Sequence, residues 1–438
     1  MKRKSLSILV GVLSVVLVTL VIATFMLDTQ QAQLAQPTTT APTQTTAPTP
    51  PPTTAPPTTV STTPPETEPP TEPPTEPEPV EERFWLSFAG DCTLGSTKKA
   101  SAYGKSFIKT IGTDYDYPFA NVRQYFENDE FTIVNLEGVF TDSGTAANKL
   151  FAFRGPTAYT QILTGSSVEA VTLANNHSKD YGKTGYQSTK DVLTQAGVSY
   201  VEENKTTLFT TKNGLVIGLY ADAFKFTKSD IQKNIQSLKN AGADVIICAF
   251  HWGTEGSYRP TAAQKTYAKA AVNAGAHIVY GHHPHVLQPV VRGDNSVIMY
   301  SLGNFSFGGS NSPQDYDAAL IQQEVIRDPD GKIRLGDINI VPLSVSSSAK
   351  RNNFQPTPYE VDSKAYNRAM SKLDGTFKGK DLVVDYSKDD PAPTTPTESQ
   401  PASGGTDTSA PPAAETPKPP AAETPAPPAA DSGSVEGA

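Results

Sequence analysis

The chain has 438 residues and a formal net charge of −9, from 36 Lys and Arg against 45 Asp and Glu. Residues 1–80 and 391–438 hold 28 of the 38 prolines and a net charge of −8, so residues 81–390 are close to neutral. A near-neutral middle without a basic cluster excludes nucleic-acid binding, and 2 cysteines exclude a disulfide scaffold or a Cys-rich zinc site.

In chain order, residues 1–7 read as a cytoplasmic N-terminus and 8–27 as a transmembrane signal anchor. Ile8 to Leu27 is an apolar run, long enough for a helix to cross about 30 Å of hydrocarbon. Lys2, Arg3 and Lys4 precede it, and the first charge after it is Asp28. The positive-inside rule then puts the remainder outside the cell. A cleavable signal peptide is the competing reading, but Ala32-Gln33-Leu34 ends in a poor cleavage residue. Residues 28–80, rich in Pro, Thr and Glu, read as a disordered stalk with little to bury. A folded domain is expected over 81–345 and its C-terminal extension over 346–390. Residues 391–438 repeat PPAAETP-like units and read as a disordered tail.

The middle alternates short apolar runs with helical patterns. Phe84–Ala89, Phe131–Leu136, Val168–Ala174, Leu215–Tyr220, Asp244–Phe250 and His277–Tyr280 are each short, apolar and closed by Gly or polar residues. They predict buried strands. Lys183–Ala196, Ser229–Ala241 and Thr261–Ala274 predict helices, each followed by a capping glycine. The alternation implies an α/β fold with parallel pairing and helices on the faces. Val297–Ser301, Ala319–Ile326 and Ile333–Val341 suggest a second, more antiparallel sheet, and Ser363–Leu373 a terminal helix. Cys92 and Cys248 fall in apolar runs and read as buried free thiols, with a disulfide as the alternative.

Ligands of open α/β sheets sit at the carboxyl ends of strands. Those ends carry Asp91, Glu137, Asn176-His177, His251 and the run Gly281-His282-His283-Pro284-His285. Carboxylate and imidazole are the ligand set of Mn, Fe or Zn, and His283-x-His285 lets two imidazoles from one loop approach a cation. One such His alone is more often structural; five of the six histidines at strand ends point to a metal site. The sixth, His277, lies inside a predicted strand and reads as core.

The segments FAGDCTLG (88–95), NLEGVFT (135–141), LANNHSKDYG (173–182), HWGTE (251–255), GHHPHVLQP (281–289) and YSLGNFSF (300–307) resemble the successive motifs of the CapA-type capsule-synthesis proteins. That family is associated with capsule or poly-γ-glutamate production and is similar to calcineurin-like metallophosphoesterases. The resemblance implies a layered α/β/β/α sandwich with mixed sheets. It also implies a divalent metal site of one or two ions. Asp91, Glu137, Asn176, His251, His283 and His285 would be ligands, and His177 would face the leaving group as general acid or hydrogen-bond donor. Thr93 departs from the pattern, which has His two residues after the first Asp.

Arg154, in FAFRGP, is a candidate clamp for phosphate or carboxylate, a surface arginine being the alternative. Trp252 and Glu255 are expected in the pocket wall, and Asn304 either orients a ligand or serves a turn. The functional expectation is a metal-dependent hydrolase or transferase acting on an anionic cell-envelope polymer or its precursor. It would be held by a single-pass helix outside a bacterial cell membrane of Gram-positive type. A capsule-synthase membrane subunit is the partner that the resemblance implies. A non-catalytic polymer-binding or export factor, and a wall protein acting through its flanks, are the alternatives.

Overall fold

The computed structural model describes residues 80–101 and 105–384. The expected cytoplasmic N-terminus (1–7), transmembrane anchor (8–27), nearly all of the stalk (28–80), the last residues of the extension (385–390) and the tail (391–438) lie outside the described residues. Among the described residues no helix is long and apolar enough to cross a membrane.

Two mixed sheets dominate. The eight-stranded sheet one runs in the order Thr357–Pro358 (β17), Ile333–Ser344 (β16), Asp317–Arg327 (β15), Glu82–Thr93 (β1), Phe131–Leu136 (β3), Ala170–Thr172 (β6) and Ser199–Val201 (β7). Asn304–Phe307 (β14) also pairs with β1. β1, β3, β6 and β7 are parallel; β15 to β17 extend the sheet antiparallel. Sheet two runs Leu287–Arg292 (β12), Val297–Leu302 (β13), Ile278–His282 (β11), Val245–His251 (β10), Val216–Ala223 (β9) and Lys205–Thr210 (β8). Its four central strands are parallel and its two edges antiparallel. Ser96–Thr97 (β2), Phe153–Gly155 (β5) and Val139–Phe140 (β4) form a small third sheet.

Side-chain alternation explains the layering. Val245, Ile247 and Ala249 of β10 share one apolar cluster with Phe84, Leu86, Phe88 and Ile133 of sheet one. Ile246, Cys248 and Phe250 point the other way, onto Ile231, Ile235 and Leu238 of the Lys228–Asn240 helix and Ala268 and Ala271 of the Ala262–Ala274 helix. On the far face of sheet one, Val134 and Leu136 pack with Phe126, Ile162 and Leu193 from three helices. Both faces of each sheet are therefore covered, which is why the runs read as continuously apolar. The Tyr280 hydroxyl donates across the interface to the Ala89 carbonyl.

The helix signals act as chemistry predicts. Thr227 and Asp230, and Thr261 and Gln264, form capping boxes. Gly275, at φ 107°, ends the second of these helices left-handed. The terminal helix runs over Lys364–Leu373 with Ser363 as N-cap. Arg368, Lys372 and Tyr359 all bond Asp317, docking that helix on β15.

One expectation is corrected. The three later strands do not form a sheet of their own. β13 joins sheet two parallel to β11, while β15 and β16 extend sheet one beside β1. Pairing such as Phe84 with Val325 joins residues far apart in the chain, which no local pattern encodes. Cys92 and Cys248 are free and buried in separate clusters, and burial pushes both thiols up.

Candidate metal centre

The carboxyl ends of the parallel strands of both sheets converge. Asp91 on β1 lies in register with Asn135 of β3 and Asn304 of β14. Gly90 permits this: a Cβ there would stand 2.2 Å from the Gly303 carbonyl oxygen, which also accepts from the Asp91 amide at 2.9 Å. His251 ends β10 in register with His282 at the end of β11.

Asp91 is fully buried and heavily bonded. Its Oδ1 accepts from Asn135 Nδ2 at 2.9 Å and lies 2.9 Å from His282 Nδ1. Its Oδ2 lies 3.2 Å from His285 Nδ1. Burial raises its carboxyl, but the bonds to His282 and His285 hold it well below the usual range. His285 Nδ1 also sits 2.9 Å from Asn304 Oδ1. Both neighbours of that nitrogen are acceptors, so Nδ1 carries the proton and Nε2 faces Glu137 Oε1 at 3.8 Å. Asn304 is thus an orienter of His285.

Glu137 follows β3. Its two carboxylate oxygens are buried and have no hydrogen-bond partner. Burial pushes its carboxyl up to about 8, opposed by His285. His285 is lowered by burial but raised more by Glu137 and Asp91, to about 10. His251 Nε2 lies 2.7 Å from Asn176 Oδ1 and 3.7 Å from Glu137 Oε1. Burial, then the neighbouring His283, holds His251 well below its usual value, and burial lowers His283 to about 3. These imidazoles are neutral and able to donate lone pairs.

Among the described residues, Asp91, Glu137 and His285 offer ligand atoms within 4.8 Å of one another, and so do Glu255, His283 and His285. Partnerless buried oxygens on Glu137 and partnerless ring nitrogens on His251 and His283 fit a divalent cation, whose charge reverses the burial cost of a carboxylate. Backbone strain gathers at the same place. His283 and His285 hold φ of 96° and 55°, conformations that non-glycine residues adopt only when their surroundings impose them.

His177 stands beside this cluster. Its Nδ1 is 2.8 Å from Asp180 Oδ2. Asp180 also accepts from the Phe153 amide at 2.6 Å and pairs with Lys149. Burial lowers His177 below 6.5 against the pull of Asp180, so the ring is neutral at pH 7 with Nε2 the lone-pair nitrogen. Arg154 lies elsewhere. Its guanidinium covers the Tyr181 ring at 5.2 Å. Neighbouring strand residues face opposite ways, and Phe153, not Arg154, lines the adjoining cavity. Trp252 is core, with Nε1 donating to Tyr300 O at 3.0 Å, and His277 accepts from the Ile246 amide at 3.1 Å.

Four contributors were not singled out from sequence: Asn135, Asn175, Asp180 and Phe224. Asn175 bonds Asn135 and receives the His177 amide. Asp180 follows His177 by three residues in NHSKD, and that spacing is a usable signal. Phe224 has no such signal. At φ 54° and 43% exposed, it sets its ring edge-on to His251 and His283, with centroids 5.4 and 4.8 Å away.

The model of a family described as "Bacterial capsule synthesis protein PGA_cap" matches residues 85–309. The chain is 28% identical over 327 residues to the capsule biosynthesis protein CapA of Bacillus anthracis, covering 68% of this chain and 75% of that protein. It is 26% identical over 313 residues to the PGA biosynthesis protein CapA of Bacillus subtilis strain 168, covering 66% and 80%. Among solved structures, the NAD nucleotidase NadN of Haemophilus influenzae aligns with TM-score 0.35 and 13% identity over 70% of this chain and 66% of that one. Purple acid phosphatase PPD1 of yellow lupin aligns with TM-score 0.28 and 11% identity over 59% and 53%.

Proposed function

The chain belongs to the bacterial capsule synthesis protein family PGA_cap, and from that premise we propose that it is a metal-dependent hydrolase or transferase of metallophosphoesterase type. Its substrate is an anionic cell-envelope polymer of the capsule or poly-γ-glutamate kind, or a precursor of it. The N-terminal apolar run holds the domain outside the cell membrane, beside membrane subunits of a capsule synthase.

The observation that carries this reading is Glu137, with two partnerless buried oxygens facing Asp91 and the site's imidazoles. Asp91, Glu137 and His285 would hold one divalent cation, Mn, Fe or Zn. A second cation would be held by Glu255 and His283, with Asn176 and His251 adjoining, because the one lone pair of His285, on Nε2, serves a single cation. A bound cation supplies Lewis acidity to a phosphoryl or carbonyl oxygen. The rest falls to the chain's own residues. Asp91 is held ionised, and Asn304 and His282 fix the ligands' orientation. His177, oriented by Asp180, takes or gives a proton at Nε2.

The test is elemental analysis of the purified full chain, followed by aryl-phosphate and phosphodiester assays. One or two cations per chain and activity lost in His177→Ala are expected; a cation-free protein sinks the reading. With free cation at 100 times its Kd, the fold gains about 2.7 kcal/mol, read as a fall in thermal midpoint on chelation. One observation favours a second reading, a polymer-binding or export factor without catalysis. Thr93 stands where the resemblance expects imidazole, and its buried hydroxyl has no partner. Under that reading, capsule formation survives His177→Ala.

A further inference from the structure

Two cavities adjoin the metal centre. One, of about 460 Å³, is walled by Asn304, Gln314, Leu382 and Val384. The other, of about 360 Å³, is walled by Lys99, Phe151, Phe153 and His177. Glu255, His285, Phe307, Ser310 and Asn311 line both. Each is large enough for a small ligand by itself, and the ligand residues His285 and Glu255 lie at their junction.

We propose that the two cavities are arms of one groove, and that an extended polycarboxylate chain lies along it with an internal unit, not an end, over His285. The proposal rests on the anionic-polymer reading above and specifies how the polymer lies. A site for a terminal group needs one arm and a wall behind the cation. Here the wall is replaced by a second arm.

The arms differ in chemistry. The His177 arm is lined by Lys99, which puts one cationic side chain beside the path of the carboxylates; Lys149, paired with Asp180, is not part of its wall. Phe151 and Phe153 stack with centroids 6.1 Å apart and planes 16° from parallel, a flat apolar wall for a polymer backbone. The Gln314 arm offers amides and hydroxyls from Asn304, Ser310, Asn311 and Gln314. Its one further acid, Asp315, is occupied by Lys372 at 2.6 Å.

The end of that second arm is built by the C-terminal segment. Leu382 N donates to Gly256 O at 2.9 Å, Gln314 Nε2 donates to Val383 O at 3.2 Å, and Asp381 pairs with Arg259 at 2.7 Å. Gly256 directly follows Glu255, and its amide bonds Pro284 O at 2.8 Å. The segment therefore braces both ligand-bearing loops while it walls the groove. It lies past residues 85–309, which the family model matches.

The experiment titrates the full chain, loaded with Mn, with oligo-γ-glutamates of 1 to 12 units by calorimetry. Affinity is expected to rise at least tenfold between 2 and 8 units and then level off. Lys99→Ala and Leu382→Trp, in opposite arms, each reduce long-chain affinity by threefold or more at unchanged metal content and thermal midpoint. Affinity independent of length, or a response to only one of the two substitutions, overturns the groove. Cation content is measured on the same samples. Cation bound with flat length dependence sinks the groove alone. No cation with intact length dependence sinks the hydrolase reading alone.

Discussion

The two sheets bring different chemistry to the same rim. Sheet one supplies oxygen: Asp91 lies near the end of β1, and Glu137 and Asn176 follow β3 and β6. Sheet two supplies mostly nitrogen: His251, His282, His283 and His285 end or follow β10 and β11, with Glu255 beside them. Two of those histidines, His283 and His285, also carry positive φ, and the acids of the first sheet do not. Neither sheet alone holds a complete donor set. The proposed cation site is therefore a property of how the two sheets stack, and cation affinity is the measurement that reports on that stacking.

The largest effect comes from breaking one side at a time. Asp91→Ala and His285→Ala are each expected to cut cation affinity more than 100-fold by calorimetry. The double variant should lose little more, because contacting ligands are not additive. If His285→Ala binds normally, the site belongs to sheet one and the comparison fails. Smaller losses are expected from the supports. Asn304→Ala and His282→Ala remove bonds that orient His285 and Asp91, and such partners are worth about 10–100-fold in metal affinity.

The opposite rim of sheet one sharpens the contrast. Asp129 and Glu169 precede β3 and β6 at their amino ends, and burial pushes both up to about 7. The Thr132 and Ser87 hydroxyls bond Asp129, and the Thr132 amide donates to Glu169. A carboxyl raised on folding makes the folded state bind more protons, so stability falls as pH climbs from about 4 through 7. Asp129→Asn is expected to flatten that slope by on the order of 2 kcal/mol between pH 5 and pH 8, read from denaturant midpoints. A variant with the parent's slope would refute it. The smallest effect is Phe224→Ala. Its exposed ring covers the His251 and His283 pair, and its loss should change cation affinity by about threefold with fold stability unchanged.

Much of the side-chain cluster was legible because the fold gathers the carboxyl ends of its strands and each end is locally marked. NLEG, NNH and GHHPH follow apolar runs of strand length, and the predicted Phe131–Leu136 strand matches the observed one. Arg154 shows the limit. Its type suits a phosphate clamp, but strand alternation turns it to Tyr181 while Phe153 takes the inward place. The edge strands β8 and β12 were missed because their exposed faces dilute the apolar pattern.

By itself the sequence determined the central strands of both sheets, where the longer helices start and stop, and which side chains sit where those strands end. These follow from burial periodicity, caps and glycine, all of which act within a few residues. Only the tertiary structure decided that β13 joins one sheet and β15 the other, that Asn304 and Asp91 share the proton on His285, and that Glu255 completes the cluster. Those outcomes depend on contacts of about 3 Å between segments far apart in the chain, set by sheet stacking, where no local pattern reaches.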